Sequence, residues 1–546
     1  TSLTSVTIPT AYKIGSYVFC DTAYCNDESN WKNGLLYIGN HLIKAEGVSG
    51  NVEIRQGTKT IAGNAFNSCT SLTNITIPDS VISIGEYTFI GCTSLTSIII
   101  PDSVTEIGDR TFDGCTSLTS VTIPDSVTRI GEDTFRGCTS LTSIIIPDSV
   151  TRIGGDTFRG CTSLASVTIG NGVTSIGDKV FYGCTSLTSV TIGKGATSIG
   201  DRAFEGCTSL TSVTIPDSVT SIDKSAFYDC TSLTSVTIPD SVTSIGDSAF
   251  YNTAYYNNES NWDNEILYIG KHLIKAKENV SGSVEIKRGT KVIADKAFRR
   301  CTSLTSVTIP DSVTSIGYEA FSGCTSLKRV YIPDTVTTIG ESAFACRHIN
   351  GFTIIGNPGS AAQAYAEKNG FAFVSPESIK VSKRPNKLTY CIGDAFDPTG
   401  IIVSCVNNDG SEDVINAGLS ITGFDSSVLG KNTITVAYDG KTTTFDVEIE
   451  APSIALSESN LAFDRAGATS TLTATAVPSD AEIVWKSSNE SVATVENGVV
   501  TAKGAGNATI TAKFTYNNIE YTETCNVTVE VPTVPTVTFP DVASND

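Results

Sequence analysis

Through most of the first two-thirds of the chain, apolar residues recur in a fixed order every 23 positions. One copy, starting at Cys115, reads CTSLTSVTIPDSVTRIGEDTFRG. Leu118, Val121 and Ile123 form an L-x-x-V-x-I pattern. Its β-branched, period-two ending predicts a short strand with Val and Ile inward and Ser120 and Thr122 outward. Pro124-Asp125 predicts a turn, because proline presets φ and the aspartate bonds to nearby backbone N–H groups. Val127 and Ile130 then face inward from a second extended segment, Gly131 permits the next bend, and Phe135 and Cys138 close the copy. Fixed-length copies predict a solenoid in which each turn buries its apolar side only against its neighbours.

The period is carried by Cys69, Cys92, Cys115, Cys138, Cys161, Cys184, Cys207 and Cys230, and again by Cys301 and Cys324. It breaks twice. Phe19 to Phe66 is 47 residues and Phe250 to Phe298 is 48, and the two gaps hold related modules at 22–66 and 253–298. Each is read as two turns, the first irregular, which makes about fifteen turns and roughly 70 Å of solenoid at sheet spacing. Residues 352–374 (FTIIGNPGSAAQAYAEKNGFAFV) replace the pattern with an Ala-rich helix, the atypical last turn expected of a cap. The solenoid is thus placed at 1–375. Residues 376–450 and 452–531 alternate apolar and polar positions between turn signals, which predicts two β-sandwiches, and 532–546 reads as a Pro-bearing linker.

The unit L-x-x-V-x-I-P-D-S-V-x-x-I-G-x-x-A/T-F-x-G-C resembles the BspA-type leucine-rich repeat of bacterial surface proteins. The NW-x-N-x-x-LYIG-x-HLIKA modules and the SAAQAYAEKNG segment fit the same family. Residues 376–450 resemble one bacterial Ig-like group, and 452–531 are similar to the invasin/intimin-type group. The fold class expected is mainly β: a leucine-rich-repeat solenoid of 23-residue turns with parallel strands, followed by two Ig-like sandwiches. The resemblance implies a secreted or surface-displayed adhesin-like protein whose partners are host matrix glycoproteins, glycans or other cell-surface proteins; the alternative readings are a structural spacer or surface-layer filament, on the uniformity of the outward rows, and an ancillary region of a larger surface enzyme. It carries no catalytic residues.

Composition narrows this further. The formal charge of −20 argues against nucleic acid or anionic lipid as partner, since Lys and Arg supply that attraction. No apolar run reaches the roughly 18 residues that would predict a membrane span. Residues 376–546 carry 10 basic and 22 acidic side chains, so the sandwiches are the more acidic part. There is no Met and Thr1 falls inside a repeat, so the sequence is expected to be part of a longer or processed chain.

Chemistry-bearing residues are few. His41 and His272 hold equivalent places in the two modules and read as structural, and His348 has no nucleophile signature around it. The recurrent PDS aspartates read as turn caps. No phosphate loop or zinc pattern appears, so neither cofactor nor metal is expected. The cysteine ladder reads as buried free thiols, since rungs about 4.8 Å apart project in parallel while a disulfide needs converging Cβ atoms at about 3.5–4.5 Å. Cys20 and Cys25 differ, because the second module has Tyr251 and Tyr256 there. Their joint absence points to a local disulfide, and Cys391 with Cys405 is a second candidate. Cys346 and Cys525 read as buried singles.

The surface carries the remaining candidates. Outward strand positions are Ser and Thr almost throughout, but Ile99 and Ile145 replace Thr, and Arg329 and Tyr331 replace Ser and Thr near the cap. Arg129, Arg136, Arg152 and Arg159 lie on adjacent turns. They form either a binding patch or a face neutralised by Glu132, Asp133 and Asp156. Trp31, Trp262, Tyr255 and Tyr256 mark the modules, as packing or as ligand contacts. The edge near Thr1 is a candidate for self-association.

Overall fold

The computed structural model describes residues 2–8, 13–345, 351–415, 418–530 and 537. Cys346, His348 and, apart from Val537, the 532–546 segment lie outside them. The chain divides into two units, Thr1–Ser375 and Pro376–Asp546.

In the first unit each 23-residue copy makes one turn of a β-solenoid, and identical positions stack. Ser120, Val121 and Thr122 pair in parallel with Ser97, Ile98 and Ile99. Further along, Ser166–Ile169 pairs with Ser143–Ile146 and with Ser189–Thr191. The segment after the Pro-Asp turn forms a second parallel ladder, with Arg129–Ile130 between Glu106–Ile107 and Arg152–Ile153. A third row of backbone bonds closes the turn: the N–H groups of Phe112, Phe135 and Phe158 each donate at 2.8 Å to the carbonyls of Thr134, Thr157 and Val180. Every side of the turn therefore satisfies its backbone in the neighbouring turn, which is why one copy alone has no stable fold.

The core follows from that register. Phe66 to Phe250 form an unbroken stack with ring centroids 5.1–5.4 Å apart, and Phe298, Phe321 and Phe344 form another at 4.9 and 5.0 Å. The ladder cysteines from Cys92 onward are buried beside them as free thiols. Each donates to a carbonyl of the previous turn, as Cys138 Sγ does to Phe112 O at 3.2 Å and Cys161 Sγ to Phe135 O at 3.1 Å. Buried Thr134 donates likewise to the carbonyls of Gly131 and Gly108, at 2.8 and 3.2 Å. At Gly170-Asn171-Gly172 the stacked backbones come closer: a Cβ on Gly172 would sit 1.9 Å from the Asp148 carbonyl oxygen, so the Ser of other copies has no room there.

Both modules share one construction. A short helix (Ala23–Asn26) capped by Thr22, a 3-10 turn (Glu28–Asn30), and the antiparallel strands Trp31–Lys32, Leu35–Ile38 and His41–Ala45 make the irregular turn. His41 and Leu42 then pair in parallel with Thr60 and Ile61, returning the chain to the second ladder. The first ladder is interrupted instead. It restarts at Gly50–Glu53 and at Gly282–Glu285, each paired with a strand only on its C-terminal side. The N–H of Tyr24 bonds to Leu3 O and that of Tyr255 to Leu233 O, both at 2.8 Å, so both modules dock alike on the preceding segment.

The unit ends with strands Arg329–Tyr331, Thr353–Ile355 and Ala372–Val374 in parallel and the helix Ala361–Asn369. Ser360 caps that helix, Gly370 ends it at φ 71°, and it buries Ala362, Tyr365 and Ala366. Over the end of the stack, Phe344 meets Tyr365 edge-on at 6.0 Å.

The second unit holds two successive β-sheet regions. The first sets Pro376–Lys383, Ile402–Asn407 and Glu412–Ile415 in one sheet and Thr389–Cys391, Lys441–Glu450, Gly430–Tyr438 and Ser420–Thr422 in another, around Tyr390, Val403, Ile434 and Phe445. The second is dominated by the long hairpin Gly506–Tyr516 and Ile519–Val529, with half-buried Trp485 against its core.

Candidate binding surfaces

Period-two alternation turns one row of side chains outward from the first ladder. On that row Ile99 is 74% exposed and Ile145 is 70% exposed, while their neighbours Ile98 and Ile144 are buried. Ile99 stands beside Thr122 and Ile145 beside Thr168, so two β-branched apolar side chains project from a row of hydroxyls on alternate turns. Arg329 and Tyr331 project from the strand paired with Thr353–Ile355, but both are half-buried and offer less free surface.

The four arginines do not form one patch. Arg129 and Arg152 are register partners in the second ladder, whereas Arg136 and Arg159 lie a bend further on in successive turns. Carboxylates meet three of them: Arg129 pairs with Glu106 and, at 3.7 Å, Asp109; Arg136 with Asp133 at 3.7 Å; Arg159 with Asp156 at 3.2 Å. Arg110 joins Asp133 as well, at 3.1 Å. Arg152 alone of the four has no ion pair among the described residues. Such exposed pairs contribute little stability, but they leave this face close to neutral.

Neither suggested disulfide is formed. Cys20 and Cys25 are both free and half-buried, and Cys25 Sγ donates to the Phe19 carbonyl at 2.7 Å. Cys391 and Cys405 are free and buried. They sit in different sheets, Cys391 beside Glu450 and Cys405 between Ile379 and Asp413, so strand pairing does not bring them together.

The two described histidines, His41 and His272, are both buried and held by the fold. His41 Nδ1 lies 2.7 Å from Thr60 Oγ1, and His272 fits between the carbonyls of Ile269 and Val242. Burial pushes both imidazoles below their ordinary value. Among the described residues no group of three His, Cys, Asp or Glu side chains is arranged to hold a metal ion, and no helix is long and apolar enough to cross a membrane.

A cleft at the first module is less legible in the sequence. Its volume is about 880 Å³, and Trp31, Tyr37, Asn51, Glu53 and Arg55 stand on its lining with Leu35, Val48 and Val52 as apolar floor. It opens where the first ladder is interrupted, at the unpaired side of Gly50–Glu53. Trp31 Nε1 donates to Cys25 O at 2.8 Å, and the Arg55 guanidinium lies 4.4 Å over the Tyr37 ring while also donating to Gly39 O. Trp31 stands out in the sequence; Tyr37 and Arg55 do not. Their only signal is the repetition of the pair as Tyr268 and Lys287 in the second module, where Lys287 Nζ lies 4.7 Å over the Tyr268 ring. A smaller cavity of about 240 Å³ lies between Phe250 and Asp295. There Lys296 Nζ meets Asp247 at 3.0 Å and Lys275 Nζ donates to Lys296 O at 2.8 Å.

The family model described as BspA type leucine rich repeat region matches residues 1–73, 37–165, 151–281 and 268–401. Bacterial Ig-like domains of group 3 and group 2 match 383–449 and 450–525. A leucine rich cell surface protein of Faecalibacterium prausnitzii A2-165 is 29% identical over 62% of this chain and 96% of its own, with a TM-score of 0.34. A leucine-rich repeat protein of Bacteroides ovatus is 25% identical over 62% and 94%, with a TM-score of 0.33. Pectate lyase L of Thermoclostridium stercorarium is 40% identical over 77 residues, which are 14% of this chain and only 6% of that enzyme.

Proposed function

The chain belongs to the BspA type leucine-rich repeat family, whose match runs from residue 1 to residue 401, and from that premise we propose a non-enzymatic, adhesin-like binding protein of the bacterial cell surface. The solenoid face contacts glycoproteins or glycans of host or microbial cells, and the two Ig-like domains serve as its stalk. The observation that carries the reading is the pair of exposed isoleucines, Ile99 and Ile145, on an otherwise hydroxyl-lined strand row. Exposed apolar side chains ringed by polar ones are the usual anchors of protein recognition. Many weak contacts of this kind gain strength through multivalent display.

The test is adhesion of the full chain to immobilised matrix glycoproteins and to cells. Replacing both isoleucines by the Thr of the other copies is expected to lower saturable binding at least about tenfold, the effect of two lost anchors. Removing 376–546 should leave the binding intact. Unchanged binding by the double variant, or its loss on that deletion, overturns the reading.

A second reading has one observation in its favour. The 77 residues shared with pectate lyase L are a small part of a much larger enzyme. On that reading the present sequence is an ancillary, substrate-holding region of a surface enzyme, and the complete gene decides it.

A further inference from the structure

At one lining position, Lys32, the cleft at the first module carries the opposite charge to the second module. In the second module Lys287 is paired with Asp263 at 3.0 Å, a bridge between the strand Trp262–Asp263 and the chain just beyond Gly282–Glu285. The first module has Lys32 in place of Asp263 and Arg55 in place of Lys287. Both line the cleft, and neither has an ion pair among the described residues. Two cations thus flank an opening in a protein of net charge −20, where the related module has a closed ion pair.

The remaining lining tells what fits between them. Tyr37 holds Arg55 twice, by its ring under the guanidinium and by its hydroxyl accepting the Arg55 backbone N–H at 3.2 Å. The guanidinium is therefore pre-positioned, and with one N–H given to Gly39 O it keeps others for a bidentate anion contact. The Trp31 indole is fixed by its bond to Cys25 O. Asn51 and Glu53 face outward from the strand edge, and among the described residues no hydrogen bond holds either side chain. Rigid aromatic surface, unengaged amide and carboxylate groups and a pair of cations match a ring that has an apolar face, hydroxyls and a negative charge. The volume is of the size that takes a ligand of a few rings.

We propose that this cleft binds an acidic saccharide, a sugar chain bearing carboxylate or sulfate groups, with Lys32 and Arg55 on the anion and Trp31 against a ring. A peptide adding as a strand is disfavoured, because the open edge is four residues long, starts at Gly50 with φ 64° and has a register shift between Gly50 and Asn51. The site is separate from Ile99 and Ile145, so it stands or falls independently of the adhesion reading.

The test uses the full chain in calorimetry with a galacturonate hexamer, a heparin-derived hexasaccharide, a neutral hexasaccharide and an acidic decapeptide. At least one acidic sugar is expected to bind at least about tenfold more tightly than the neutral one, and more weakly as salt rises. The two acidic probes tell carboxylate from sulfate. Lys32→Asp recreates the ion pair of the second module and should cost at least about tenfold in affinity with the melting temperature unchanged. The I99T/I145T chain should bind the sugar as before. Absence of acidic-sugar binding, binding insensitive to Lys32→Asp, or tighter binding of the peptide at this site would each overturn the proposal.

Discussion

A ladder cysteine illustrates how far one residue's environment alters its chemistry. Burial pushes the thiols of Cys115, Cys161 and Cys230 up to about 12, from an ordinary 9.0. A raised thiol keeps its proton in the folded state after the unfolded chain has lost it, so the folded state is favoured fully below pH 9 and progressively less above it. Each such thiol can remove up to about 1.4 kcal/mol of stability per pH unit in that window. Alkaline unfolding is therefore expected between pH 9 and about 12, followed by circular dichroism, and replacing three ladder cysteines by Ala should make its pH dependence less steep. Thiol titration should give few reactive groups in the native protein and at least ten after denaturation without reductant. A solenoid whose stability is flat from pH 8 to 11 would contradict this.

At the scale of elements, the aromatic stack ties turn to turn. Phe158 is fully buried, with Phe135 at 5.3 Å and Phe181 at 5.4 Å. Phe158→Ala should cost about 3–5 kcal/mol, measured by urea unfolding. In a stack of nearest-neighbour contacts the same change should also broaden the transition by weakening the link between the two halves. The strands, turns and inward positions of the ordinary copies were legible in the sequence because period-two alternation and Pro-Asp punctuation repeat so many times. The modules were legible only as a change of period. Their antiparallel flap comes from LYIG-N-HLIKA folding back on itself, a pairing that nothing in the 23-residue unit announces. The cleft was harder still: it depends on which ladder the flap leaves unpaired and on an Arg–Tyr contact between residues 18 positions apart. The arginine patch illustrates the opposite failure, because residues close in sequence diverged into two rows, and three of the four met carboxylates, Arg129 on the preceding turn and Arg136 and Arg159 on their own.

For the whole molecule, repetition makes length adjustable. Removing Thr185–Cys207 joins Cys184 to Thr208 in register, so the chain should refold one turn shorter. Labels introduced through unnatural amino acids at Ser49 and Ser283, one in each module, should then come closer by about 5 Å in a dipolar distance measurement. An unchanged distance, or loss of folding, would count against independent, stackable turns.

Nine strands, from Gly50–Glu53 to Ser235–Thr237, follow one per turn, in three successive sheets, between the two interruptions of the first ladder. At sheet spacing they measure off about 38 Å. The molecule thus contains a ruler with a mark at either end, graduated in copies of a nearly identical gene segment. Unequal crossing-over between such segments would lengthen or shorten the ruler by whole graduations while leaving both marks intact, so relatives that differ in reach need not differ in what they grip.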